Sequence, residues 1–344
     1  MNEIVLDEGL TQMDLFPFTL IRSAADIRIG ILTIREKWEQ FYQFRISDEA
    51  HPGTRKMPSQ LIPDAALILD LKNDLSLESL LENHKHRMIE YPWQIFQWNG
   101  AYIQEDFALI TKGRKSEDIS ATNKVIRADN IFVEDGAKVE HSFLNAAAGP
   151  IYIGRNAEIM EGAMIRGPFA LCEGGVVKMG AKIYGATIGP YSIAGGEIKN
   201  CVIFGFTNKS HDGYLGDSVL GYWCNLGAGT SNSNLKNNGG QIRMWNETSK
   251  EFVGVGRKCG CLMGDFSRTA INTVINTGTV IGACSNIFGS GLTPKLIPSF
   301  SWGYSPIVKY EFAKALQDIR NWKEFKGESL SDTEIQKLKH IFEK

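Results

Sequence analysis

The chain has 344 residues, 43% apolar and 22% charged, with a formal net charge of −2. It is long enough for two domains and a large buried core, and its near-neutral charge excludes a global basic field for nucleic acid or an anionic membrane. No apolar run reaches the ~18 residues of a membrane span, and Glu3, Asp7 and Glu8 do not suit a secretion signal, so a cytoplasmic location without membrane partners is expected.

In chain order, Glu3 to Leu6 reads as a strand. From Phe16 to Phe41 the sequence FPFTLIRSAADIRIGILTIREKWEQF ends in helical spacing, with Ile31, Ile34 and Trp38 on one side. Arg22 and Arg28 flank Asp26 and would suit either a phosphate or an ion-pair cluster. Ile46 to Gln60 reads as a loop, and Gly53-Thr54-Arg55 is a weak match to a phosphate cradle. The apolar run Ala65 to Leu71 suits a buried strand; Leu77 to Met88 reads as a helix capped by Ser76, with His84 and His86 as solvated histidines. Tyr91 to Ile110 is rich in aromatics, which without a basic groove point to packing rather than to nucleic acid. Thr111 to Lys124 is polar and marks a domain boundary.

Beyond it a six-residue period sets in. Val133 and Val139 begin it, and Ile153, Ile159, Ile165, Leu171, Val177 and Ile183 continue it, with glycine at 154, 162, 174 and 180. Helices repeat at three and four and strands at two, so this is a hexapeptide β-helix signature: short strands joined by corners, three to a coil, with the aliphatic side chain inward. An antiparallel sandwich of short strands is the plain alternative. Ile183, Ile188, Ile193, Ile198 and Ile203 are five apart, a slip in the frame. The period returns at Leu220 and Leu226, and Leu262, Val274 and Val280 keep multiples of six with Arg268 intruding at an inward position. The fold class expected is mainly β, a parallel β-helix with a small α/β N-terminal domain and C-terminal helices. Those helices, Ser305 to Lys323 and a segment opened by a Ser331–Glu334 capping box, would close the open end of the stack. The cysteines, Cys172, Cys201, Cys224, Cys259, Cys261 and Cys284, suit a coil interior. Cys259-Gly260-Cys261 lacks a second pair, so no metal site is assigned.

Polar residues concentrate from Thr207 to Asn234, where a scaffold built for burial has no evident need for Lys209, His211, Asp212, Asn225, Asn232 and Asn234 together. The repeat breaks between Ile203 and Leu215, placing His211 on a loop or distorted turn. An imidazole accepts a proton near pH 7, making His211 the candidate general base; a solvated surface histidine is the alternative.

The segment SHDGYLGDSVLGYWCNLGAGTSNSN, from Ser210 to Asn234, resembles the active-site segment of the left-handed β-helix acetyltransferase half of the bifunctional N-acetylglucosamine-1-phosphate uridyltransferase/glucosamine-1-phosphate N-acetyltransferase family. A His precedes a Tyr by three, followed by Leu-Gly-Asp, Asn-aliphatic-Gly-Ala-Gly-Thr and a later Asn; the likeness runs from about Val125 to Gly291. It implies an acetyl-CoA-dependent transfer in which His211 deprotonates the amine of an amino-sugar phosphate or nucleotide sugar. Arg166 and Lys199 would hold the phosphate; Glu197, Tyr214 and Asn225 would position the ring, with Asn234 near the amine. Asp265 and Ala283 would contact acyl-CoA, and the Gly227 to Gly229 amides would face the oxyanion. The family assembles as homotrimers with CoA between neighbours. Leu235 replaces the family's aromatic residue, and nothing matches its glycine-rich nucleotide loop, so the resemblance implies a reduced nucleotidyltransferase-like domain (1–115), a β-helix acyltransferase domain (125–303) and a helical extension (304–344). Sugar-1-phosphate nucleotidyl transfer, with Mg2+, and a non-catalytic sugar-nucleotide-binding role are the alternatives.

Overall fold

The structure, a computed structural model, describes residues 3–9, 15–41, 44–47, 51 and 54–344. The N-terminal strand β1 (Glu3–Asp7) lies between β2 (Arg45–Ser47) and β3 (Arg55–Pro58), both parallel to it. The segment expected to be a loop therefore supplies two strands; the Gly53 part of the weak cradle match lies outside the described residues. Ala65–Lys72 is a helix, α1, and not a strand. Asp64 caps it by accepting from the Leu67 amide, and Leu67, Ile68 and Leu71 bury one side at helical spacing, which overrides the apolar run. Helix α2 (Leu77–His84) is capped by Ser76 as expected and ends in a tight turn at Lys85–Arg87. Its docking buries His84, whose Nε2 lies 2.9 Å from Asp70 Oδ2, so of these two histidines only His86 is solvated. The aromatic segment forms helix α3 (Gln94–Ile110).

From Lys124 the chain winds into a three-sided parallel β-helix. The first face stacks Lys124–Ile126, Phe143–Asn145, Met164–Arg166, Lys182–Tyr184, Glu197–Lys199 and Tyr214–Gly216. The second runs from Ile131–Val133 to Leu296–Ile297, and the third from Lys138–Val139 to Ser301–Trp302. One continuous apolar cluster fills the interior, including Val139, Ile159, Val177, Ala194 and Leu226 on the third face alone. The five-residue spacing comes from shortened coils. Ile183 pairs with Ile198 and Ile188 with Ile203, 15 residues apart where the preceding coil, Ile165 to Ile183, takes 18. The inward residue of that third-face strand is Ala194, with Ile193 turned outward. The later run is one residue out of frame: Met263, Ile275, Ile281 and Ile287 line the interior, while Leu262 and Val280 point outward. Arg268 is thus not an intruder in the core. It points out beneath a C-terminal helix, against the Asp318 carbonyl and the Trp322 ring. Between Asn232 and Cys261 a hairpin, Ile242–Asn246 with Glu251–Gly256, is inserted into one coil.

The N-terminal segment packs on the second face. Ile27, Ile29, Trp38 and Phe96 share a buried cluster with Val202, Val219, Leu262 and Val280. Gly30 makes the closest approach, at φ +77°. A Cβ there would lie 2.5 Å from Asp106 Oδ2 and 2.7 Å from the Tyr102 carbonyl, and its own carbonyl accepts from Thr187 Oγ1 at 2.9 Å. Helices α4 (Phe312–Phe325) and α5 (Asp332–Glu343, with the expected capping box) do not stack on the end of the coils. They cover the corner between the second and third faces, on Trp223, Phe266, Cys284 and Phe300. The stack's edge is met instead by Val308–Lys309, antiparallel to Ser301–Trp302.

Candidate functional site

With the second face under the N-terminal segment and the third flanked by α4, the first face keeps its outward side chains at the surface. Two rows run up it: Met164, Lys182, Glu197 and Tyr214 in one, and Arg166, Tyr184, Lys199 and Gly216 in the other. Rungs of a sheet lie about 4.8 Å apart, so Arg166 and Lys199 are two rungs, roughly 10 Å, from each other. Tyr184 Oη donates to Glu197 Oε1 at 2.9 Å, and Lys199 Nζ sits 5.9 Å from the Tyr184 ring centroid. The missing side chain at Gly216 lets the Tyr214 ring fold back, since a Cβ there would stand 2.4 Å from Tyr214 Oη. Asn234 Nδ2 then donates to Tyr214 Oη at 3.1 Å and to Asp217 Oδ2 at 2.5 Å, while Asn200 Nδ2 donates to Asp217 Oδ1 at 2.7 Å. Burial and then the Asp217 carboxylate push the Tyr214 phenol above its usual value, so the phenol stays protonated.

His211 stands exposed at the corner between the third and first faces, three residues before Tyr214, in a turn rather than a break. Gly213 completes that turn at φ +123°, where a Cβ would meet the Thr230 carbonyl at 2.1 Å. The inward position of this coil is filled by Lys209, which is why no aliphatic residue marks it.

Arg166, Glu197, Lys199, Tyr214 and Asn234 are therefore brought to one face with His211 at its rim. Asn225 is not. It lies on the third face between Asn208 and Arg268, its Oδ1 3.4 Å from Asn208 Nδ2. Asp265 is buried. It pairs with Arg22 at 2.6 Å and accepts from the Tyr222 amide at 2.8 Å, and burial pushes its carboxyl upward against the pull of Arg22. Ala283 is also buried, against the aromatic corner. Neither presents a surface to a co-substrate in this chain. The Gly227 and Gly229 amides are spent on the Thr269 and Asp212 carbonyls, so they do not form an oxyanion hole. The phosphate reading of Arg22 and Arg28 gives way to ion pairs, with Asp265 and Glu36 respectively.

Part of the polar density around His211 is structural. Asn232 Oδ1 accepts from the Gly216 amide at 2.8 Å while its Nδ2 donates to the Gly216 carbonyl at 3.0 Å, bonds internal to the coil. Conversely, sequence reading missed Tyr184, Asn200 and Asp217. Their signal was the 15-residue coil, which sets Tyr184 level with Lys199.

Residues 4–55 and 59–115 match the sequence model of the sugar nucleotidyl transferase family. The chain is 29% identical over 185 residues to a bifunctional sugar-1-phosphate nucleotidylyltransferase/acetyltransferase of Sulfurisphaera tokodaii, covering 52% of this chain and 41% of that one. It is 33% identical over 108 residues to the bifunctional protein GlmU of Methanocaldococcus jannaschii, covering 31% and 26%. The chain is thus similar, over part of its length, to bifunctional sugar nucleotidyltransferase/acetyltransferases. It spans less than half the length of these two relatives. Among solved structures it is similar to the polySia-specific acetyltransferase NeuO, at 13% identity and a TM-score of 0.30 over 58% of this chain and 99% of that one. Among the described residues no helix is long and apolar enough to cross a membrane.

Proposed function

We propose that the chain is an N-acetyltransferase that moves an acetyl group from acetyl-CoA to the amine of an amino-sugar phosphate or nucleotide sugar. The observation that carries this reading is the convergence of Glu197, Lys199, Tyr214, Asn234 and Arg166 on one uncovered face, with His211 at its edge. Arg166 and Lys199 hold the phosphate, Glu197 and Tyr214 orient the ring, and Asn234 lies at the amine. His211 takes the amine proton as the nitrogen attacks the thioester carbonyl. The C–N bond forms, the C–S bond breaks, and the proton passes on to the departing CoA thiolate. The similarity to a bifunctional nucleotidylyltransferase/acetyltransferase of Sulfurisphaera tokodaii supports the choice. Asn225, set on another face, fits a site shared between copies, and a homotrimer with side-by-side coils would supply that arrangement. In this reading residues 125–303 are the acyltransferase domain and 304–344 its helical extension.

The test is thiol release from acetyl-CoA with glucosamine-1-phosphate as acceptor. Wild-type protein should release thiol only with the sugar present, and His211→Ala should lower the rate at least 100-fold with the unfolding midpoint unchanged. Equal rates in the two proteins would overturn the role of His211.

The match of residues 4–115 to the nucleotidyl transferase model favours a second reading, nucleotidyl transfer from UTP, in which Mg2+ would serve. Against it, three cations of that segment are already engaged: Arg28 with Glu36, Lys37 with Asp106, Arg22 with Asp265. Pyrophosphate release from UTP and a sugar 1-phosphate would establish this second activity.

A further inference from the structure

A lysine sits inside the β-helix. Along the inner side of the third face the chain places Val139, Ile159, Val177 and Ala194, then Lys209, then Leu226. Lys209 is only 1% exposed. Burying an ammonium is costly unless it finds partners, and here the small side chain of Ala194 leaves room for the stem to turn toward the corner. There Nζ donates to the Gly195 carbonyl at 3.2 Å and to the His211 carbonyl.

The same corner in other coils is held by backbone bonds and by short hydroxyl side chains, Ser142 donating to the Glu140 and Met160 carbonyls and Thr230 and Thr273 to the Ala270 carbonyl. The Gly162 amide reaches the His141 carbonyl at 2.9 Å, Gly180 reaches Glu161 at 3.0 Å and Asn272 reaches Ala228 at 2.7 Å; the His211 turn has such a bond too, from the Gly229 amide to the Asp212 carbonyl at 3.0 Å. In the two coils at the shortened part of the stack, the Gly195 and His211 carbonyls are gripped from inside by one ammonium. Asp212 is the charged neighbour that favours the ammonium, while burial draws its pKa down to about 8.

We infer that Lys209 is a positioning residue for His211: from within the coil it fixes the 210–213 turn in the shape that presents the imidazole at the rim of the first face. This rests on the acetyltransferase reading for its consequence, but the geometry of the turn is testable without it.

The experiment compares full-length wild type and Lys209→Met, which keeps the aliphatic stem and removes the donor, by hydrogen exchange and by thiol release from acetyl-CoA with glucosamine-1-phosphate. Amide exchange within 210–213 should accelerate at least tenfold, with strands two or more coils away unchanged. The turnover number should fall 10- to 100-fold with acceptor KM within twofold, and Lys209→Met should cost nothing further in the His211→Ala background. Lys209→Gln, which retains an N–H donor, should recover part of both effects. Unchanged exchange in 210–213 overturns the inference whether or not wild type transfers acetyl groups; absent transfer with altered exchange overturns only the acetyltransferase reading. If Lys209→Met does not assemble, Lys209→Gln carries the test: acceleration confined to 210–213 supports positioning, and acceleration along the whole ladder overturns it.

Discussion

Tyr184 and Glu197 illustrate how a residue acquires a role from its place in a coil. Their 2.9 Å hydrogen bond links two successive rungs, and the carboxylate is thereby held level with Lys182 and Tyr214 instead of swinging in solvent. A hydrogen bond to a charged group is worth about 1.5–3 kcal/mol when buried, and less on this half-open face. Tyr184→Phe should therefore raise the acceptor KM by roughly fivefold with little change in the turnover number, the signature of lost ground-state binding, read from saturation curves in the acceptor. Tyr214 behaves differently because its Oη is tied through Asn234 to Asp217, a chain anchored in the interior.

At the scale of elements, the period of six made the β-helix legible, because each inward aliphatic residue answers to one short strand. What the period did not reveal was coil length. Once the repeat contracts to 15 residues the inward frame shifts, so Ile193 turned out to face outward and Ala194 inward. The hairpin insertion displaced the later frame by one, which made Arg268 seem misplaced. The candidate site was legible where residues share the first face and illegible where corners intervene: Asn225 follows the motif in sequence yet belongs to another face. Asp265 shows a tertiary cause, since its partner, Arg22, is 243 positions away and no local pattern announces it. Asp265→Ala would leave the Arg22 guanidinium, with its side chain 20% exposed, facing a buried void. Removing one member of such a pair should cost roughly 3 kcal/mol, seen as a lowered urea midpoint with the β-sheet circular dichroism retained.

For the whole molecule, burial is most plainly registered in the thiols. All six cysteines are buried, and burial pushes Cys172 and Cys261 up to about 11, above the ordinary thiol value. The thiolate, not the thiol, reacts, so folded protein at pH 8 should take up no iodoacetamide until denaturant is added, as counted by mass spectrometry. The sign for stability follows: a thiol whose folded pKa is raised contributes fully below its unfolded value near 9, and that contribution is lost as pH climbs from about 9 to 11.

The bond between Arg22 and Asp265 also has a temporal meaning. A ribosome adds about 5–20 residues per second, so the N-terminal segment emerges roughly 10–50 seconds before the coil that carries its partner. Until the successive later coils emerge, Ile27, Ile29 and Trp38 have no Val202, Val219 or Val280 to cover them. The chain thus begins its life with an apolar stretch waiting for a surface not yet made, and the last coils complete the first domain.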